Sequence, residues 1–340
     1  MDNKKENYYI DFLRFLCALV IMCYHSYVFT NSDSSYFKYG YLAVNFYFIL
    51  TGYLMMKSLN NNKKDTYLFI WGKIKRLLPA IIVSFIISYI FVFGKNGLIL
   101  NYENVRRILS NNVVGDLFKL KAIGYGGVIN TTWWYISAMI LDLAILYPLA
   151  KKYNKTYITY IAPMIILVTL AIANFYNISF SYHSSVTLIF ANGVFKGLIY
   201  ISLGNIAYEI SNIFKKKYKN EKLAITALEL SLTVLMLYVF YTEMVGTILL
   251  AIAIALLVSI SFSDISLTNK VFKHKIWKSL GNLGFYLYMT HEAVKRYYLK
   301  QNTYMYKNMF NKYVLTSIIV ALGMLILLDV ILPLFKKKIK

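Results

Sequence analysis

A chain of 340 residues that is 59% hydrophobic, 17% aromatic and only 15% charged has too little polar surface for a soluble enzyme. Separate apolar runs reach the roughly 20 residues that cross a bilayer, which gives an all-α, multi-pass membrane protein. The net charge of +22 sits in short clusters between those runs (Lys63-Lys64, Lys73–Arg76, Lys151-Lys152, Lys215–Lys219), the pattern of cytoplasmic loops rather than of a nucleic-acid surface.

The first run, YIDFLRFLCALVIMCYHSYVF (9–29), is a span that carries three ionisable groups. It has a charge inside it and no A-x-A-like site after it, so it reads as a retained helix rather than a signal peptide. Arg14 and His25 are eleven residues apart, about three turns plus 20° with a rise of roughly 16 Å, and Asp11 to Arg14 is an i,i+3 step. All three project from one face, which must line a polar interior because lipid does not accept it. Cys17 and Cys23 point to different faces of the same helix and read as small apolar fillers. Nothing in the chain has metal-ligand spacing.

Apolar runs then place spans near 40–57, 77–94, 131–150, 156–175, 186–210, 223–242, 245–262, 280–296 and 313–334, about ten with the first. An even count puts both termini on one side, and the larger share of Lys and Arg falls there, so both termini are expected in the cytoplasm of a cell-membrane protein. Residues 94–130 form the longest loop and read as an interfacial helix, either a lid or a passive connector. A single domain over 1–340 is expected. Asp142, about eleven residues into its span, and Lys196, about ten into its own, are expected at similar depth and close enough to pair. Trp133, Trp134 and Tyr135 read as interfacial belt aromatics or as a sugar-stacking surface. His274 and His183 read as solvated bystanders, whereas His291 lies in the ninth span.

The opening arginine, ten intervening residues and a histidine resemble the signature of the membrane-bound acyltransferase 3 family. Further segments resemble that family in its order: GYLAVNFYFILTGYL (40–54), WGKIKRLLPA (71–80), NTTWWYISAMILDLAILYPL, ANGVFKGLIYISLGNIAYEI and LGNLGFYLYMTHEAV. Together they cover essentially the whole chain. Ala138-Met139-Ile140 stand where many members carry two glutamates, and Asn45 where an aspartate is common. The chain is therefore closer to the branch lacking that pair and without an attached extracytoplasmic domain.

The resemblance implies transfer of an acyl group, acetyl or succinyl, from cytoplasmic acyl-coenzyme A to a hydroxyl of an extracytoplasmic glycan or lipid-linked sugar, with no metal. His25 then serves as general base or as an acylated relay. Arg14, oriented by Asp11, faces the donor. Arg76 with Lys73 and Lys75 holds coenzyme A phosphates, or else marks the inner face and meets anionic lipid. His291, Tyr288, Trp134, Tyr135, Asn45, Asp142 and Lys196 line the acceptor side. The rival class is a transporter or flippase, since intramembrane Asp, Arg, Lys and His also describe an ion path, although no internal repeat supports one.

Overall fold

The computed structural model describes residues 6–29, 36–93, 106, 130–180, 186–187, 190–242, 246–299 and 306–334. The long connection expected at 94–130 and His183 lie outside the described residues, apart from Arg106 and Asn130.

Helices occupy the greater part of each expected span, and the span expected at 186–210 begins with strands rather than helix. In chain order these are α1 (Tyr8–His25), α2 (Val44–Asn61), α3 (Thr66–Phe93) and α4 (Trp134–Thr156). A π-helical turn (Tyr157–Ile161) leads into α5 (Ala162–Phe175), and a two-stranded antiparallel hairpin, β1 (Val186–Thr187) and β2 (Phe190–Ala191), follows. The rest are α6 (Asn192–Lys217), α7 (Lys222–Thr242), α8 (Thr247–Ser261), the short α9 (Thr268–Val271), α10 (Ile276–Leu299) and α11 (Tyr306–Leu325), which continues as a π-helical segment, Ile326–Ile331. Among the described residues, six helical stretches are long and apolar enough to cross a membrane: Tyr8–Phe29, Gly40–Asn61, Thr66–Phe91, Thr131–Phe175, Lys222–Thr242 and Met309–Leu334. Thr247–Ser261 is apolar but shorter. The expected spans at 186–210 and 280–296 are helices, α6 and α10, yet fall outside that set. They carry Asn192, Lys196, Asn205, His291 and Glu292 on faces buried in the bundle, and those groups lower their mean hydropathy.

The Thr131–Phe175 stretch is two antiparallel helices. Asn154 has φ 39°, a conformation that interrupts the helix, and α5 then runs back along the bundle. Trp134, at the start of α4, lies beside Lys196, near the start of α6, while Tyr157 beyond the other end of α4 accepts a hydrogen bond from Asn205 further along α6 (2.7 Å). The last residues of α5 return to the start of α6, where Ala173 and Ile178 pack on Phe195.

The helices at the centre meet through small residues, which lets their backbones approach without a hydrophobic drive between them. The Cα atoms of Gly52 in α2 and Gly204 in α6 are close enough that a Cβ at either glycine would come within 2.0 Å of a carbonyl oxygen of the other helix. Around them Phe46, Phe48, Ile49, Met55, Leu143, Tyr147 and Ile201 are fully buried. Leu167, Val168, Val234, Leu249 and Ile319 instead project outward, the apolar exterior that a bilayer covers.

Candidate active site

Helices α1 and α10 run side by side in the same direction. A Cβ at Gly281 would meet Asp11 at 2.9 Å, and one at Gly284 would meet the Cα of Phe15 at 2.8 Å and the Arg14 carbonyl oxygen at 3.2 Å. That contact sets the register at the far end of the pair, where the His25 and His291 rings lie 5.1 Å apart, centroid to centroid.

At the near end Asp11 accepts from the Arg14 guanidinium at 2.7 Å, and the two side chains keep 16% and 28% of their surface accessible. The i,i+3 pair expected from spacing is therefore present. The Tyr47 hydroxyl donates to the Arg14 carbonyl oxygen at 2.5 Å. Tyr135 and Tyr286 lie within electrostatic reach of the guanidinium. Tyr286 and Asn282 of α10 donate to Asp329 at 2.6 and 2.8 Å, which fixes the π-helical segment against this end of α10.

At the far end His291 is fully buried and its Nδ1 lies 3.0 Å from the Leu287 carbonyl oxygen. A carbonyl only accepts, so in the neutral ring Nδ1 carries the proton. Nε2, which makes no protein hydrogen bond, then presents a bare lone pair. His25, the last residue of α1, faces it. Glu292, one residue on and nearly buried, is held by Lys295 at 2.6 Å and Arg296 at 3.1 Å and lies within electrostatic reach of both imidazoles. The sequence reading missed Glu292. Its signal was an acidic residue in mid-span with basic residues three and four positions on, the spacing of a helical charge cluster.

The aromatic segment between the two ends is internal. The Tyr288 hydroxyl donates to the Thr132 carbonyl oxygen, Asn130 and Trp133 donate to that of Met289, and the Tyr135 ring lies 4.6 Å from Phe48, 5.9 Å from Tyr288 and 6.1 Å from Tyr47. Trp133 and Trp134 are buried, so they do not form an interfacial belt. Packing of α4 against α2 and α6, and of the turn before it against α10, draws them inward.

The expected ion pair between Asp142 and Lys196 is absent. Neither side chain has a hydrogen-bond partner. The Asp142 carboxylate rests against Gly197, whereas the Lys196 ammonium faces the rings of Tyr41 and Trp134 at 5.8 and 5.9 Å. Depth does not separate the two, since Asp142 reaches Gly197, one residue beyond Lys196; the lysine stem leans toward the start of its helix and carries the ammonium to Trp134, about two turns from Asp142. The basic cluster also differs from expectation. Lys73, Lys75 and Arg76 lie within α3, which begins at Thr66, rather than ahead of it. Lys73 and Lys75 sit over Phe69 and Trp71, and Arg76 is exposed. His274 is exposed and accepts from the Ile276 N–H at 3.2 Å. Among the described residues no group of three or more His, Cys, Asp or Glu is placed to hold a metal.

A family profile described as an acyltransferase domain, that of the acyltransferase 3 family, matches residues 7–332. The chain belongs to the acyltransferase 3 family. Two Staphylococcus aureus proteins, of strains COL and N315, each named "Putative O-acetyltransferase", are 28% identical over 133 residues, 38% of this chain and 18% of theirs. An Enterococcus faecalis protein named "Amino-acid racemase" is 27% identical over 232 residues, 63% of this chain and 30% of its own length. The chain thus matches less than a third of the length of each of these curated relatives. No solved structure matches. The family and the apolar helices make this a multi-pass membrane protein, and the facing histidines lie on the two helices that carry its first and last sequence signatures.

Proposed function

We propose that this acyltransferase moves an acetyl or succinyl group from cytoplasmic acyl-coenzyme A to a hydroxyl of an extracytoplasmic glycan or lipid-linked sugar. The reading takes residues 1–340 as one domain of about ten spans in the cell membrane, with both termini inside. Its main support is the α1–α10 pair, which carries an accessible guanidinium at the end nearer the N-terminus and two facing imidazoles at the other.

In this reading Arg76, with Lys73 and Lys75, holds the donor's phosphates from within α3, two to three turns past its start. Arg14, fixed by Asp11 and by Tyr47 on its backbone, draws the pantetheine arm inward through charge-assisted hydrogen bonds. His25 takes the proton of the acceptor hydroxyl. The oxygen attacks the thioester carbonyl carbon, the C–O bond forms, the C–S bond breaks, and the departing thiolate is protonated. The bare Nε2 of His291 stands next to His25 to accept or pass that proton, and Glu292 offsets the positive charge formed on the imidazole. Tyr288, Tyr135, Trp134, Asn45, Asp142 and Lys196 line the acceptor side. If His25 is instead acylated first, one equivalent of thiol is released before any acceptor is added.

Purified protein should release free thiol from acetyl-coenzyme A in the presence of cell-envelope glycan. His25→Ala should abolish that release while the protein still elutes as a single species. A transporter would release none, and undiminished release from His25→Ala would remove the histidine from the mechanism.

A further inference from the structure

The start of α6 brings together polar groups that the fold itself leaves without hydrogen-bond partners. Lys196 is 1% exposed and its Nζ makes no hydrogen bond. Its three donors face the rings of Tyr41 and Trp134, which attract the charge but cannot accept hydrogen bonds as an oxygen does. Asn45 of α2 is fully buried and neither of its amide atoms has a geometrically complete hydrogen bond. It lies within reach of the Tyr200 hydroxyl, and Tyr200 is one turn along α6 from Lys196. Among the described residues near this turn, the Asp142 carboxylate is also unpaired and rests against Gly197 and the Phe48 ring.

An unpaired ammonium in a dry interior is expensive, and orphaned donors of this density normally mark the place of an absent ligand group. The donor set is specific in sign. Lys196 lies about one turn into a helix, whose N-terminal end favours anions, Tyr200 follows one turn along it, and Asn45 is within reach of the Tyr200 hydroxyl. The Trp134 ring supplies a flat apolar wall of the kind that meets a sugar face. From Lys196 the aromatic rings continue through Tyr41 and Tyr24 to His25, with centroids 5.6 and 5.0 Å apart, so the cluster and the facing histidines occupy one end of the bundle.

We propose that Lys196, Asn45 and Tyr200 form an anion subsite for the acceptor, so that the protein acylates a glycan or polyol carrying a carboxylate or phosphate rather than a neutral one. This rests on the acyl-transfer reading above and adds the charge of its acceptor. Lys196 pairs with the anionic group, Trp134 flanks the adjoining ring, and the hydroxyl to be acylated reaches toward His25.

The test is equilibrium binding to the purified full chain in detergent micelles, which needs no turnover and so does not depend on the acyl-transfer reading. Three probes are compared: a galacturonate oligosaccharide, the same oligosaccharide after reduction of its carboxyls, and a glycerol-phosphate oligomer. The expected result is that at least one anionic probe binds about tenfold or more tightly than the neutral one, as a charge-assisted pair requires, and the two anionic probes tell carboxylate from phosphate. Lys196→Met should erase that preference. Asn45→Asp, which supplies a counter-ion inside the protein, should erase it as well even if Lys196→Met fails to fold. Equal binding of neutral and anionic probes, no binding of any of the three, or a preference that survives Asn45→Asp would each overturn the proposal; the second of these outcomes would leave Lys196 solvated by internal water only.

Discussion

Gly284→Ala probes the contact on which the histidine pair depends. The added Cβ would sit 2.8 Å from the Cα of Phe15 and 3.2 Å from the Arg14 carbonyl oxygen, closer than the 3.4–4 Å of ordinary contact, and backbone atoms cannot swing aside. Overpacking of this kind costs about 1–3 kcal/mol, offset by up to about 1 kcal/mol because alanine favours a helix over glycine. The net loss is therefore about 0–2 kcal/mol, or a fall in Tm of a few degrees. Turnover should suffer more, since separating α1 from α10 by a fraction of an ångström displaces His25 from His291. Gly323→Ala in α11 meets nothing within 4 Å and gives the control, with only the propensity gain. Unfolding can be followed with a thiol-reactive dye, because Cys17 is fully buried and becomes reactive only on opening. Wild-type turnover in Gly284→Ala, or equal behaviour of the two alanine variants, would refute the dependence of the site on this contact.

Glu292→Gln leaves Lys295 and Arg296 without their shared carboxylate and should cost about 2 kcal/mol or more together with turnover, whereas Lys295→Met, which keeps the Arg296 bond, should cost less; equal losses would show that the carboxylate is not shared. Asp142→Asn removes a buried charge that has no hydrogen-bond partner, so Tm should hold or rise. Because Asp142 and Lys196 are not paired, Asp142→Ala and Lys196→Met should add within about 0.5 kcal/mol, and coupling well above that in the double mutant would restore the ion pair. Glu6 bonds to Lys278, which holds its carboxyl below the ordinary 4.5. A lowered carboxylate contributes stability above its unfolded value and loses it as pH falls through the folded one. The small Tm difference between wild type and Glu6→Gln should therefore be present at neutral pH, shrink once the pH falls below 4.5 and vanish below the folded value; a difference that grows in acid would contradict it.

The helices were legible because apolar run length is set by the bilayer and survives without tertiary information, and the break at Lys151–Lys155 marked the turn that a hydropathy window merges. Helix starts were less legible. Lysine and arginine are good helix formers whose stems lie along apolar surface, so α3 begins a full two turns before Lys73 rather than after it. The pairing of Asp142 with Lys196 failed for a different reason: similar depth can be counted along a sequence, but the direction in which a long side chain leans cannot, and Lys196 leans to Tyr41 and Trp134. Asp11 and Arg14 were readable because both lie on one helix. Family likeness singled out His25 and His291 separately, but their meeting was not legible, since no spacing within one chain states which helices are neighbours. Glu292 was not legible because its partners Lys295 and Arg296 fall at the edge of the apolar run, although α10 continues to Leu299.

The bend at Asn154 reaches further than its own neighbourhood. Left straight, residues 131–175 would make a rod roughly 67 Å long, more than twice the oily thickness of a bilayer. In the ten-span reading proposed above, one crossing would then vanish and the helices after α5 would arrive inverted. An inverted α10 would run against α1 and could not present His291 to His25. On that reading the turn at Asn154, φ 39°, keeps α10 aligned with α1, and straightening it by substitution would separate the two imidazoles from the opposite side of the molecule.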